Sequence, residues 1–474
     1  MKTSFTQFLL VNKTIPSLLG IFVLGVALLS FSGCGHTSDQ IRVGVFQVNV
    51  TPPIGSPVAY APARSITDSL SARGVVILSD EAPVVVCAVD WLGIANEGME
   101  QWKESLAKAA HTTVDRVTIH ALHQHDGVRC DFTVESILEE YGLGGTRFDT
   151  AFLKKTIQGV AGAVGVAYEE AIPVTHLGFG KAKVEKVASN RRILGEDGTV
   201  KVIRWSKSTD SVAIAAPEGL IDPWLQCVSF WDEEKPVAVM TYYAVHPQSY
   251  YGEGDVTSEF VGIARNDRQE TLGGVPHIHF NGAGGNVAAG KYNDGSKEKR
   301  PLLAQRMEEG MRQAWENTVK TPIKKGGMAW KSTDVELPVG HHLEETSLRN
   351  ILSSDSTTDN EKLAAAKHLA WLLRHQSGKK ITVSSLRLGD VWMLNLPGEL
   401  FVEYQLAAQQ MRPEGHVVTA AYEEYGPGYI GTEAAYAQGG YETSERASRV
   451  SPEVEGVLIN AIEEVLNKQT LAEK

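Results

Sequence analysis

Residues 117–130 read VTIHALHQHDGVRC. The first half is apolar and rich in β-branched residues, which predicts a strand. The second half sets His123 and His125 two positions apart, just before an Asp126-Gly127 pair that turns the chain. A strand sends residues i and i+2 to one face, so the spacing predicts that both imidazoles project together at the strand's end. Two imidazoles so placed make half of a metal site. The plainer alternative is a pair of surface histidines beside a turn.

Working outward, strand and helix periods alternate without a clean βαβ rhythm. IRVGVFQVNVTPPIGSP reads as a strand running into a Pro-Gly turn, and VVILSDEAPVVVCAVDW as a hairpin. ANEGMEQWKESLAKAAH and the segment from residue 149 have helical periods, the latter through Phe152, Ile157, Val160, Ala161 and Val164. CVSFWDEEKPVAVMTYYAVHP is two apolar runs around a charged turn, a strong hairpin signal. Further helices are predicted from RPLLAQRMEEGMRQAWENT, NEKLAAAKHLAWLLRHQ, GELFVEYQLAAQQM and SPEVEGVLINAIEEVLNK. No repeat or low-complexity linker interrupts the chain after residue 41. The expected fold is therefore α/β, a single large domain over 42–474 with a mixed β-sheet and surrounding helices.

Of 474 residues, 43% are apolar and 22% charged, enough for an ample core. The net charge of −12 argues against nucleic acid as a partner, because phosphate binding needs a basic surface. Residues 1–33 read as an export signal: Lys2 and Lys13 precede the apolar run at 15–33, which ends in small residues. SFSGC resembles a bacterial lipobox with Cys34 as the lipidated residue, although Phe31 replaces the usual Leu. That predicts a protein exported to the cell envelope and anchored to a membrane by acyl chains on Cys34, with 34–41 as a tether. A plain secretory signal and an uncleaved anchor are the alternatives. Cys87, Cys130 and Cys227 are too far apart for a disulfide framework and are expected to be buried thiols.

A catalytic metal needs three or four N/O ligands from separate strand ends. His246 ends the apolar run VAVMTYYAV and is followed by Pro247; it is a ligand candidate or a capped core histidine. Glu399 follows Pro397-Gly398, where it is read as lying in the first turn of a helix. Tyr429 lies in EEYGPGYIGT, a glycine-rich loop. His277 and His279 form a second His-x-His and a possible second metal pair. His341 and His342 are adjacent and read as solvent-facing or packing residues. HQHDG is not a metallo-β-lactamase motif, since no histidine follows Asp126.

Taken in order, these segments resemble the neutral/alkaline non-lysosomal ceramidases in their N-terminal catalytic domain. The likeness runs through TPPIG at 51–55, LHQHDG at 122–127, Asn190-Arg191 and Asp222-Pro223. It continues through His246-Pro247, Thr257-Ser258-Glu259-Phe260, Pro397-Gly398-Glu399, Gly428 to Thr432 and Tyr441-Glu442. The resemblance implies Zn²⁺ held by His123, His246, Glu399 and Tyr429. It implies proton transfer by His125 and oxyanion binding by Arg191 and Tyr441. The implied activity is hydrolysis of the N-acyl amide of ceramide or a related lipid. Leu122, Gln124 and Asp126 depart from the family pattern. Asp126 is expected either to orient a ligand from behind or to cap the turn. GGNVAAGKYNDG at 284–295 also departs, and no immunoglobulin-like segment is expected after Tyr441. Those departures keep open a zinc hydrolase of another amide or ester. A non-catalytic ligand-binding lipoprotein would be expected to lose a metal residue, and all seven mapped positions are present.

Overall fold

The computed structural model describes residues 40–323 and 326–467, all within one compact unit. The expected signal at 1–33, Cys34 and most of the tether lie outside the described residues. No helix among the described residues is long and apolar enough to cross a membrane.

Three sheets carry the architecture. The first orders Val117–Ala121, Val84–Val89, Ser71–Leu78, Arg42–Asn49 and Ile172–Pro173. The second orders His277–Asn281, Lys235–Tyr243, Trp224–Asp232, His176–Lys183 and Val319–Pro322. The third orders Met328–Val335, Ile381–Leu388, Val391–Asn395 and His416–Ala420. In each sheet the pairing is antiparallel except for one parallel pair at one edge: Val84–Val89 with Val117–Ala121, Lys235–Tyr243 with His277–Asn281, Val391–Asn395 with His416–Ala420. The fold is thus mixed α/β, with the mixing spread over three sheets.

The inner faces of all three sheets share one apolar core. Val86 and Ala88 meet Met240 and Phe280 from the second sheet and Met393 and Val418 from the third. The outer faces carry helices. Glu97–Ala109 and Thr150–Glu169 cover the first sheet, Glu259–Thr271 and Lys299–Glu316 the second, Val402–Gln410 and Val454–Leu466 the third. This explains the run VVVCAV at 84–89. Val84, Val86 and Ala88 face the shared core, while Val85, Cys87 and Val89 face helices, so both faces of the pleat must be apolar. Each such valine contributes about 1.5–3 kcal/mol by burial. A charge at Val85 would have no partner there and would break the layer. Cys87, Cys130 and Cys227 are buried free thiols.

His120 ties the parallel edges together. It is the penultimate residue of the first sheet's edge strand, gives Nδ1–H to the Ala421 carbonyl past the third, and accepts the Asn281 N–H at the end of the second (3.0 Å). Both ring nitrogens are satisfied in one neutral tautomer. Burial lowers its pKa to about 3. The carboxyl ends of the parallel strands therefore meet at one place, and the loops leaving them carry the site.

Candidate metal centre

His123, His246 and Glu399 each follow the end of a strand from a different sheet. The strand Val117–Ala121 stops two residues before His123, so the His-x-His pair is not on a strand face as the spacing suggested. Instead His123 takes φ 63°, a left-handed conformation that is strained for a residue with a Cβ. Backbone bonds hold it there: Leu122 N–H to Val89 O at 2.8 Å and His123 N–H to Trp91 O at 2.9 Å. The turn swings the His123 ring inward, where Nδ1 gives its proton to Leu92 O at 2.7 Å. Tyr422, also at positive φ (61°), stacks on that ring at 4.7 Å.

His246 lies three residues beyond Tyr243, the end of its strand. Its Nδ1 gives its proton to Gly284 O at 2.8 Å. The divergent 284–295 segment thus orients this ring. A Cβ on Gly285 would lie 2.2 Å from the Glu399 carbonyl oxygen, so only glycine fits where the segment crosses.

Glu399 does not begin a helix. Glu399–Leu400 is a two-residue strand and the helix starts at Val402. Nor is Tyr429 in an irregular loop: Tyr429–Ile430 pairs in parallel with Glu399–Leu400, and Glu399 and Tyr429 are register partners. The positive φ of Gly398 and Gly428 lets these two short segments lie side by side.

With both Nδ1 protons committed to carbonyls, the Nε2 atoms carry lone pairs. His123 Nε2 lies 3.2 Å from His246 Nε2, and Glu399 Oε2 lies 3.2 Å and 3.1 Å from them. Tyr429 Oη is 3.2 Å from His246 Nε2. Around a tetrahedral ion held at about 2.0–2.1 Å, neighbouring donors sit about 3.3 Å apart. All of these groups are buried. Three buried electron-rich atoms this close repel unless a cation lies between them. Burial lowers the His246 pKa to about 4 despite Glu399, which keeps the ring neutral and able to ligate. Burial opposes the charge on Glu399, but the His123 and His246 contacts outweigh it and hold its pKa well below the usual carboxylate range.

His125 sits at the same centre with different partners. The ring nitrogens of His123, His125 and His246 fall within 4.8 Å of one another, a buried trio that can hold a metal ion. His125 Nε2 is 3.4 Å from His123 Nε2 and touches the Gln248 amide, while Nδ1 bonds Tyr60 Oη at 2.9 Å. Both its nitrogens therefore meet side chains. Burial, then His123 and His246, push its pKa well below the imidazole range.

Arg191 reaches the centre from the second sheet's side. Nη1 donates to Tyr429 Oη at 3.0 Å, and Nε lies 3.0 Å from Glu442 Oε1. Tyr441 packs its ring 5.7 Å from that of Tyr429 and 5.8 Å from the Arg191 guanidinium. Burial, then Glu399, raise its pKa, so the phenol keeps its proton. All seven residues singled out from the sequence therefore meet.

Asp126 neither orients His123 nor closes the turn on itself. It accepts from Gly252 N–H at 2.9 Å and lies 3.4 Å from Arg300, tying this loop to the one after His246. His277 and His279 share the Thr241 hydroxyl on a regular strand, and no third ligand-type side chain joins them among the described residues. His341 is exposed, and His342 is half-buried against His368. Sequence reasoning missed Tyr60, Gln248 and Tyr422, and it noted Glu442 only as part of a motif, with no role. Gln248 and Glu442 each lie within two residues of a predicted site residue, a signal that was available. Tyr60 had none.

The sequence matches no protein-family model and no curated protein. Solved structures do match in shape. A ceramidase complexed with C2 superposes with a TM-score of 0.64, covering 90% of this chain and 74% of its own, at 16% identity. A neutral ceramidase from Pseudomonas aeruginosa gives 0.64, 91% and 76%, also at 16% identity. The fold is that of the neutral ceramidases. Within that ceramidase fold the loops after the three parallel edges, and not the sheets, hold the candidate centre.

Proposed function

We propose that this protein is a zinc-dependent amide hydrolase that cleaves the N-acyl bond of ceramide or a related N-acyl compound. The observation that carries the reading is the close approach of His123 Nε2, His246 Nε2 and Glu399 Oε2 in a buried site. Two imidazoles and a carboxylate are a donor set of catalytic zinc, with Tyr429 beside them as the fourth candidate ligand. Zinc bound there would supply Lewis-acid polarisation of the carbonyl and a water acidified toward neutrality.

The chain's own groups fit the remaining roles. His125 is neutral and adjacent, so it can take a proton from the attacking water and pass it to the leaving nitrogen. Arg191 and the protonated Tyr441 are donors for charge building on the carbonyl oxygen. Glu442 holds the Arg191 guanidinium in place. In balance, the C–N bond breaks, a C–O bond to water forms, and water's protons end on the amine and the acid. Export and anchorage through lipidated Cys34 belong to the same reading, supported by the sequence at 1–34.

The test is release of fatty acid from N-acyl compounds, ceramide among them, by purified full-length protein. Release should vanish with chelator and return with zinc. A protein that holds zinc and releases no acid from any N-acyl amide would overturn the proposal.

A further inference from the structure

The cleft beside the centre has an unexpected charge. It has a volume of about 320 Å³, and Glu399, Tyr429 and Tyr441 are among the residues that line it. Arg129, Arg147, Lys367, Arg446 and Arg449 line it, and Glu399 is its one carboxylate. The chain as a whole carries −12, so five cations gathered here run against the surface average.

These cations form no direct ion pairs, and Asp131 and Glu399 act on Lys367 and Arg449 only at longer range. Among the described residues none of the five lies within 4.0 Å of a carboxylate oxygen. Arg449 is buried; its Nη1 donates to the Gly426 carbonyl at 3.0 Å and its Nε has no partner. Arg129 bonds the Ala59 carbonyl and lies over the Tyr60 ring at 5.4 Å, and its Nε is likewise unpartnered. Arg147 reaches only the Asn360 amide oxygen, at 3.1 Å. Burial, then the Arg129 and Arg449 charges, hold the Lys367 pKa well below its usual value. Crowded, partly buried cations with no carboxylate in direct contact are costly to maintain. A guanidinium fork is shaped for carboxylate or phosphate oxygens. The aliphatic part of the wall is small, Ala59, Leu363, Ala364 and Ala447, and the rings of Tyr60, Tyr425, Tyr429 and Tyr441 complete it.

We propose that the cleft binds an anionic group on the substrate, so that the compound cleaved is an N-acyl amide bearing a carboxylate or a phosphate and not a neutral ceramide. The proposal rests on the amide-hydrolase reading for the chemistry, and on the cleft alone for the charge. The anion would sit among Arg129, Lys367 and Arg449, with the scissile amide toward Glu399.

The test separates the two. Binding to chelator-treated full-length protein is measured by calorimetry for N-dodecanoylglycine, its uncharged glycinamide, and N-dodecanoyl-ethanolamine phosphate. At least one anion should bind roughly tenfold or more tighter than the glycinamide, one charge-assisted contact being enough for that ratio. Which anion binds tighter assigns carboxylate or phosphate. The preference should shrink in Lys367→Gln and Arg449→Gln. Arg446→Gln, at an exposed position, gives a variant whose folding is not at stake. Equal binding of charged and neutral compounds, or a preference unchanged in all three variants, would overturn the proposal. A charge preference with no cleavage by zinc-loaded protein would leave the anion cleft standing and remove the hydrolase reading.

Discussion

Two His-x-His pairs occupy this fold, and they differ in backbone, not in spacing. His277 and His279 lie on a regular strand, both buried. Thr241 sits between them, 3.3 Å from His277 Nε2 and 3.0 Å from His279 Nδ1. His123 and His125 lie past a strand end, with His123 forced to positive φ, and their Nε2 atoms come within 3.4 Å. Alternate residues of a strand are about 6.5 Å apart along its axis, so the two strand rings stay separated and share a hydroxyl. Breaking the strand folds the second pair inward. The strained backbone, not the strand face, builds the centre.

The sharpest way to break this comparison is to delete one ring from each pair. His123→Ala should lose nearly all bound metal by elemental analysis, whereas His279→Ala should keep it. Metal loss in both variants would mean that the strand pair matters to the centre after all. Within the loop pair, His125→Ala should keep its metal and lose about 10²- to 10⁴-fold in kcat, the usual contribution of a general base. Metal loss there would make His125 a ligand. Arg191→Gln should cost about 10²- to 10³-fold in kcat with KM little changed, as for a lost oxyanion donor. A change in KM alone would give Arg191 a binding role.

The smallest effect concerns acid. Burial lowers the pKa of both His120 and His279 to about 3. In the unfolded chain these rings take up a proton below about pH 6.5, while in the folded protein they stay neutral until about pH 3. The unfolded state therefore binds more protons across that window, and stability falls as pH falls. Each ring should contribute a slope of roughly 1.4 kcal/mol per pH unit. Urea unfolding of chelator-treated protein at pH 7, 6 and 5 would read it, and His279→Gln should flatten it. An unchanged slope would show that the strand histidine is not held neutral by burial.

Local pattern made much of the fold legible. The hairpins over 71–89 and 224–243 and the helices from 97, 150, 299, 359 and 454 follow from apolar period and turn residues. Their identity is written in nearest neighbours along the chain. The error at Glu399 shows where that stops. A Pro-Gly-Glu followed by a helical pattern reads as a helix start, yet pairing with Tyr429, 30 residues away, wins over local propensity.

By itself the sequence determined which side chains could ligate a metal, because imidazole, carboxylate and phenol chemistry belongs to the residue. It also determined most strands and helices, because apolar period and turn residues are encoded position by position. Only the tertiary structure decided that the parallel edges of three sheets end at one point, and that His120 joins them. It alone brought Arg129, Arg147, Lys367, Arg446 and Arg449 to one wall from four separate segments. Charge along a chain says nothing of charge in space, since convergence depends on how distant segments pack.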